Sequence, residues 1–129
     1  MHNTWTSLQQ IKAHREQRVR QQLARLAQER EKTRQAQHTL QQERVEQREL
    51  WQMRCGAAGT LPPLALYRLR QELAGYAMAD QTAATTLQQQ HDTLAQLATQ
   101  QQQLQITLRR CVAGQEKLAN LLILMKEQQ

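Results

Sequence analysis

The second half of the chain carries an apolar residue at alternate steps of three and four positions, starting at Leu66. Only Asp80, Gln90, Gln101 and Gln115 interrupt the pattern with polar side chains. The positions reached are Leu66, Leu69, Leu73, Tyr76, Asp80, Ala83, Leu87, Gln90, Leu94, Leu97, Gln101, Leu104, Leu108, Cys111, Gln115, Leu118, Leu122 and Met125. Such a repeat is typical of a helix that packs along a coiled coil. It predicts one long helix over about residues 62–126.

The first half follows the same step with fewer apolar residues. The apolar or small positions are Leu8, Val19, Leu26, Thr33, Ala36, Leu40 and Leu50, and charged or amide residues such as Arg15, Gln22, Glu29 and Glu43 fill the gaps. Ser7 and Gln10 have the spacing of a capping box, which favours a helix start. Gly56 is the residue type preferred just after a helix end. We therefore expect a helix over about residues 7–55.

The segment CGAAGTLPPLA, residues 55–65, predicts a turn at about residues 56–61. Pro62 and Pro63 fit the first turn of a new helix, where a missing N–H is tolerated, and Thr60 is a candidate N-cap. A short loop makes two long helices antiparallel neighbours. The predicted fold is therefore all-α, a single antiparallel coiled-coil hairpin over residues 1–129. A turn centred near residue 58 predicts that Leu40 faces Tyr76 and Ala36 faces Asp80.

Charge and hydropathy indicate which partners the chain can bind and where in the cell it is expected. The net charge is +6, and residues 1–60 hold most of the excess, with 11 Lys/Arg against 6 Asp/Glu. A basic helix can meet nucleic acid, anionic lipid or an acidic protein surface. We find no apolar run long enough to span a membrane and no signal-peptide pattern, so we expect a cytoplasmic protein.

Residues able to do chemistry are sparse and scattered. His14, His38 and His91 would lie far apart along two long helices, which argues against a metal site. Cys55 and Cys111 form no metal or redox motif and are interpreted as ordinary thiols. There is no phosphate-binding glycine loop and no nucleophile–base set. We therefore expect no enzymatic activity, no cofactor and no small-molecule substrate.

The C-terminal stretch KLANLLILMKEQQ is more apolar than the hairpin requires. The helix–helix contact accounts for Leu118, Leu122 and Met125, with Leu121 beside them, whereas Ile123 and Leu124 point elsewhere on a helix of 3.6 residues per turn. A pairing centred near residue 58 also leaves residues beyond about 115 without a facing partner. An exposed apolar patch of this kind usually marks an interface. We interpret it as a helix that enters an apolar socket in another protein; a folded-back tail or self-association is the alternative.

The Gln/Arg/Leu-rich composition, the two long helices, the single mid-chain break and the apolar C-terminal turn together resemble the YscO/FliJ family. These proteins are central stalks of type III secretion systems and of the related flagellar export apparatus. The resemblance implies a coiled-coil protein of protein transport and virulence, located at the cytoplasmic face of the membrane-bound apparatus. It further implies that the paired termini insert into a hexameric secretion ATPase and regulate it, while the loop end reaches the export gate. The resemblance is also compatible with secretion chaperones as further partners.

The resemblance assigns residues to each contact only by their neighbourhood. The predicted ATPase-binding residues are Leu8, Ile11, Arg15, Arg18, Leu118, Leu121, Leu122, Ile123, Leu124 and Met125. The predicted gate-binding residues are Trp51, Leu61, Leu64 and Tyr67. For the arginines, a solvated helix face is an equally good interpretation.

Two other classes of function stay open. A basic coiled coil could bind nucleic acid, but the cations of the first half alternate with glutamates, which is more typical of a salt-bridged surface. A self-associating adaptor or secretion chaperone could instead form a four-helix bundle through the C-terminal apolar turns. The oligomeric state separates this last class from a stalk.

Overall fold

The computed structural model describes residues 2–57 and 59–128, with the side chains of residues 2 and 3 left out. It contains two long helices that contact each other, α1 (His2–Ala57) and α2 (Pro63–Glu127). No strand occurs within these described residues. The predicted all-α helical hairpin is confirmed.

The helix ends differ in detail from those expected. α1 already begins at His2, so Ser7 lies inside the helix and does not cap it. It also continues past Gly56 to Ala57, and the left-handed residue of the loop is Gly59, with φ of 46°. α2 begins at Pro63, and the carbonyl of Pro62 accepts the first helical hydrogen bond from Leu66 N at 3.0 Å. The N-cap position is thus held by Pro62 rather than by the predicted Thr60.

The chain divides into two compact units. We call residues 1–30 with 96–129 the terminal unit and residues 31–95 the loop unit. The terminal unit holds 10 Lys/Arg against 4 Asp/Glu, and the loop unit holds 7 against 7. The entire net charge of +6 therefore belongs to the terminal unit, whereas the sequence halves had suggested only a bias.

The contact side of α2 agrees with the predicted apolar repeat. Its buried or half-buried residues include Leu69, Tyr76, Asp80, Ala83, Leu87, Gln90, Leu94, Leu97, Gln101, Leu104, Leu108, Cys111, Gln115, Leu118 and Leu122. Leu66, Leu73 and Met125 of the predicted repeat are somewhat more exposed, at 37%, 37% and 38%. Leu97 and Leu118 are the two buried residues of this helix. Regular leucine spacing is therefore a reliable guide to the contact side of α2.

At alternate contact positions of α1, the residue that faces α2 is the one directly after the predicted residue. Its buried or half-buried residues include Lys12, Glu16, Val19, Leu23, Leu26, Arg30, Thr33, Gln37, Leu40, Arg44 and Trp51. Val19, Leu26, Thr33 and Leu40 were correctly predicted, but the residue after each of Arg15, Gln22, Glu29, Ala36 and Glu43 takes the contact position. This difference half-buries Leu23 instead of Gln22 and Trp51 instead of Leu50, which removes more apolar surface from water.

The predicted pairing of the two helices is wrong by about two to three helical turns. In the loop unit, Asp80 binds Arg44 rather than facing Ala36, and Tyr76 stacks on Trp51 rather than facing Leu40. In the terminal unit, Gln115 Nε2 donates to the carbonyl of Lys12 at 3.3 Å.

The loop explains this shift. Arg54, within a turn of the end of α1, pairs with Glu72, which lies about two and a half turns into α2. The first two turns of α2 therefore extend beyond the end of α1. The prediction instead assumed that the chain reverses direction at the centre of the loop. Because of this extension, residues beyond 115 do face α1, and Leu118 is only 4% exposed. The expected overhang of the C-terminal turns is wrong.

Candidate protein-binding face

One face of α1 in the terminal unit carries two aliphatic residues followed by arginines. Leu8, Ile11, Arg15 and Arg18 recur at steps of three and four residues, so they share one side of the helix. All four are exposed, and Ile11 keeps 51% of its surface accessible to water. The structure thus brings together the predicted α1 residues, with Arg25 continuing the same line.

A matching face runs along α2 in the same unit. Arg110, Lys117, Leu121 and Leu124 follow the same spacing, with Gly114 between the two cations. All four side chains are exposed. Arg110 and Lys117 were not among the predicted site residues, because neither lies at a position of the apolar repeat of α2.

The two faces lie on the same side of the terminal unit. Ala13 of α1 and Val112 and Ala119 of α2 line one groove, so they mark one side of the helix–helix contact. On α1, Ala13 directly follows the contact residue Lys12, whereas Ile11, Arg15 and Arg18 each directly precede a contact residue. Positions just before and just after a contact residue point to opposite sides of the contact.

The same rule holds on α2. Val112 follows Cys111 and lines the groove, whereas Leu121 precedes the contact residue Leu122. Gly114 also precedes a contact residue, and a Cβ there would lie 3.2 Å from Nζ of Lys12. The side opposite the groove is therefore built by both helices. We call it the basic–apolar face, and its residues are Leu8, Ile11, Arg15, Arg18, Arg25, Arg110, Lys117, Leu121 and Leu124.

The cations of this face are available to a partner. Within the described part of the chain, Arg15, Arg18 and Lys117 make no ion pair, and the acidic Glu16 is bound by Arg20 at 3.4 Å. With every net positive charge of the chain in this unit, the face has a positive potential around exposed aliphatic side chains. Such a surface favours an apolar patch with acidic groups at its rim.

The other predicted C-terminal residues lie elsewhere. Leu118 and Leu122 belong to the contact with α1, and Met125 follows on the same side of α2. Ile123 directly follows Leu122, so it lies on the groove side of α2 and not on the basic–apolar face. It is 55% exposed, against 54% for Leu124. The predicted pairing placed Ile123 and Leu124 together, because it left the whole C-terminal turn without a partner on α1.

The predicted gate residues do not form a single surface either. Trp51 stacks on Tyr76 with ring centroids 5.4 Å apart, and the guanidinium of Arg54 lies 5.0 Å from the Trp51 ring. Trp51 therefore takes part in the contact between the helices. Leu64 and Tyr67 are exposed on the back of α2, where Gln71 Nε2 donates to the Tyr67 hydroxyl at 2.8 Å.

Leu61 is half-buried in the loop. Met78 shares the exposed side of Leu64 and Tyr67, and it is the most exposed of the three. Met78 was not predicted, because it stands alone between Ala77 and Ala79 and lies outside the apolar repeat of α2.

One ion pair crosses the helix contact in the loop unit. Arg44 Nε donates to one carboxylate oxygen of Asp80 at 2.7 Å, and Nη2 donates to the other at 3.2 Å. This hydrogen bonding lowers the pKa of Asp80 and raises the pKa of Arg44 from their ordinary values. The bidentate geometry fixes the two helices at this level.

Over the described residues, no group of three or more His, Cys, Asp or Glu side chains could hold a metal ion. None of the helices found there is both long and apolar enough to cross a bilayer. Cys55 and Cys111 are free thiols. No family model, curated protein or solved structure matches the chain.

Proposed function

We propose that this protein is a non-enzymatic coiled-coil stalk of a type III secretion or flagellar export apparatus. In this role the terminal unit binds the hexameric ATPase of the apparatus through the basic–apolar face. The observation that supports the proposal is that exposed aliphatic residues of both helices lie beside the cations of the terminal unit, which holds all of the net charge. The cations would orient the partner, and burial of the aliphatic side chains would contribute most of the affinity.

The second contact of the stalk is proposed for the loop unit. Leu64, Tyr67 and Met78 give an exposed, uncharged surface in a unit whose charges balance. The export gate would bind there through apolar contacts, with Leu61 beside them in the loop. Trp51 has no direct role in this contact, because it is stacked between the helices. The protein would then act at the cytoplasmic face of the export apparatus.

The experiment measures ATP turnover and ring assembly of the cognate secretion ATPase with the purified hairpin added. We expect the hairpin to raise turnover without hydrolysing ATP itself. Leu124→Asp should weaken binding about a hundredfold, because an unpaired charge in an apolar contact costs several kcal/mol.

Ile123→Asp is the matched control. It introduces the same charge at a neighbouring residue of equal exposure on the other side of α2. This variant should bind nearly as well as the unaltered protein. Unchanged turnover and assembly with the unaltered protein would reject the stalk, and equal losses from both variants would reject the basic–apolar face as the contact.

A further inference from the structure

The loop unit carries a second face of α1 with the opposite charge. Glu43, Glu46, Leu50 and Met53 recur at steps of three and four residues and are all exposed. Leu50 is 57% and Met53 74% exposed. We call these four residues the acidic–apolar face. These residues belong neither to the contact with α2 nor to the proposed gate surface on α2.

The order of residues in this face is the reverse of that on α1 in the terminal unit. The terminal unit presents two aliphatic residues and then two arginines, whereas the loop unit presents two glutamates and then two apolar residues. The spacing is identical in both sets, with steps of three, four and three residues. Two α1 helices from different copies, laid antiparallel, therefore match at every position. Leu8 meets Met53, Ile11 meets Leu50, Arg15 meets Glu46, and Arg18 meets Glu43.

The charges of both faces are available for this contact. Arg15, Arg18, Glu43 and Glu46 make no ion pair in the part of the chain that the structure describes. A parallel alignment would place arginine against leucine or methionine and leave all four charges without a partner. Self-recognition in an antiparallel sense is thus favoured by both charge and hydrophobicity.

We propose that this protein associates with a second copy of itself, the basic–apolar face of one copy binding the acidic–apolar face of the other. The inference does not rest on the proposed function, although it uses the α1 residues of the same face. Where both hold, self-association covers Leu8, Ile11 and Arg15 and competes with the ATPase. The concentration of free hairpin would then depend on its own assembly.

Charge exchange tests this pairing with the purified full chain alone. Sedimentation velocity over a concentration series should show reversible self-association that weakens as salt is raised. Arg15→Glu/Arg18→Glu makes both α1 faces acidic, and Glu43→Arg/Glu46→Arg makes both basic. Each variant alone should lose about tenfold or more in association, because like charges then face each other.

An equimolar mixture of the two variants should associate again, because each face then meets its opposite. The variant with all four exchanges should also recover self-association. Arg34→Glu/Arg109→Glu is the matched control for Arg15→Glu/Arg18→Glu, since it lowers the net charge equally through two exposed arginines outside both faces. It should associate like the unaltered chain.

Three results would overturn the proposal: an unaltered chain that stays monomeric to its solubility limit, folded charge-reversed variants that still self-associate, or a mixture that does not recover. Circular dichroism of each variant confirms that it is helical before it is scored. A complex with the ATPase plays no part in these measurements, so failure here leaves the proposed function untouched.

Discussion

Two leucines of the same helix and the same unit should differ sharply in their contribution to stability. Leu118 is 4% exposed against α1, whereas Leu124 is 54% exposed on the basic–apolar face. Truncating a well-buried leucine to alanine costs about 2–5 kcal/mol, through lost burial and the cavity left behind. A two-helix contact surrounds a side chain less completely than a globular core, so we expect about 2 kcal/mol for Leu118→Ala.

Leu124→Ala should change the free energy of unfolding by no more than about 0.5 kcal/mol, as is usual at exposed positions. Urea titrations of both variants, followed by helical circular dichroism, measure the difference directly. The urea midpoint should fall clearly for Leu118→Ala and stay near that of the unaltered chain for Leu124→Ala. Equal losses would mean that Leu124 packs within the hairpin, which would remove it from any docking face.

The ion pair of Asp80 with Arg44 should make stability depend on pH. Because the folded pKa of Asp80 lies below its unfolded value of about 4, the stabilisation is present above that pH and is lost as the pH falls through the folded pKa. Acid titration of Asp80→Asn should lack this component; the same acid dependence in both proteins would contradict the assignment. Two glycines should respond oppositely to alanine. Gly75→Ala, in open space on α2, should stabilise the protein by about 1 kcal/mol, and Gly59→Ala, at a left-handed φ, should destabilise it by about 1 kcal/mol. Thermal unfolding compares them, and a loss at Gly75 would show an unseen close contact.

The helical hairpin could be predicted because the evidence for it is local. Leucine spacing fixes the contact side of α2, and the Gly/Pro segment fixes the break. The contact side of α1 could not be predicted equally well, because α1 offers charged and amide residues at either choice of position. The contact side of α1 is instead set by packing against α2, which half-buries Leu23 and Trp51.

The residues that face each other across the two helices could not be predicted, because their pairing depends on the geometry of five loop residues. A small error in the path of the loop displaces every pair that follows, so Arg44 with Asp80 could not be found from the sequence. The same error made the C-terminal turns look unpartnered and placed Ile123 and Leu124 together. The basic–apolar face emerges only when Lys117 and Arg110 of α2 are set beside Ile11 and Arg15 of α1.

The hairpin closes contacts of steadily increasing separation along the chain. Arg44 and Asp80 are 36 residues apart, Arg30 and Gln101 are 71 apart, and Lys12 and Gln115 are 103 apart. Closing the longest of these loops from an unfolded chain costs about 1 kcal/mol more entropy than closing the shortest. Folding that begins beside the loop avoids most of this cost, because each new pair then joins helices already held together.

The terminal unit should accordingly form last and open first. Its amide hydrogens should exchange with solvent faster than those of the loop unit, since local opening starts where closure is most costly. A ribosome must also complete nearly all of α2 before Leu121 and Leu124 can lie beside Ile11 and Arg15 of α1 on the basic–apolar face. The α2 part of the basic–apolar face is thus absent from nascent chains that end before Leu121, so a partner that needs residues of both helices would not bind them.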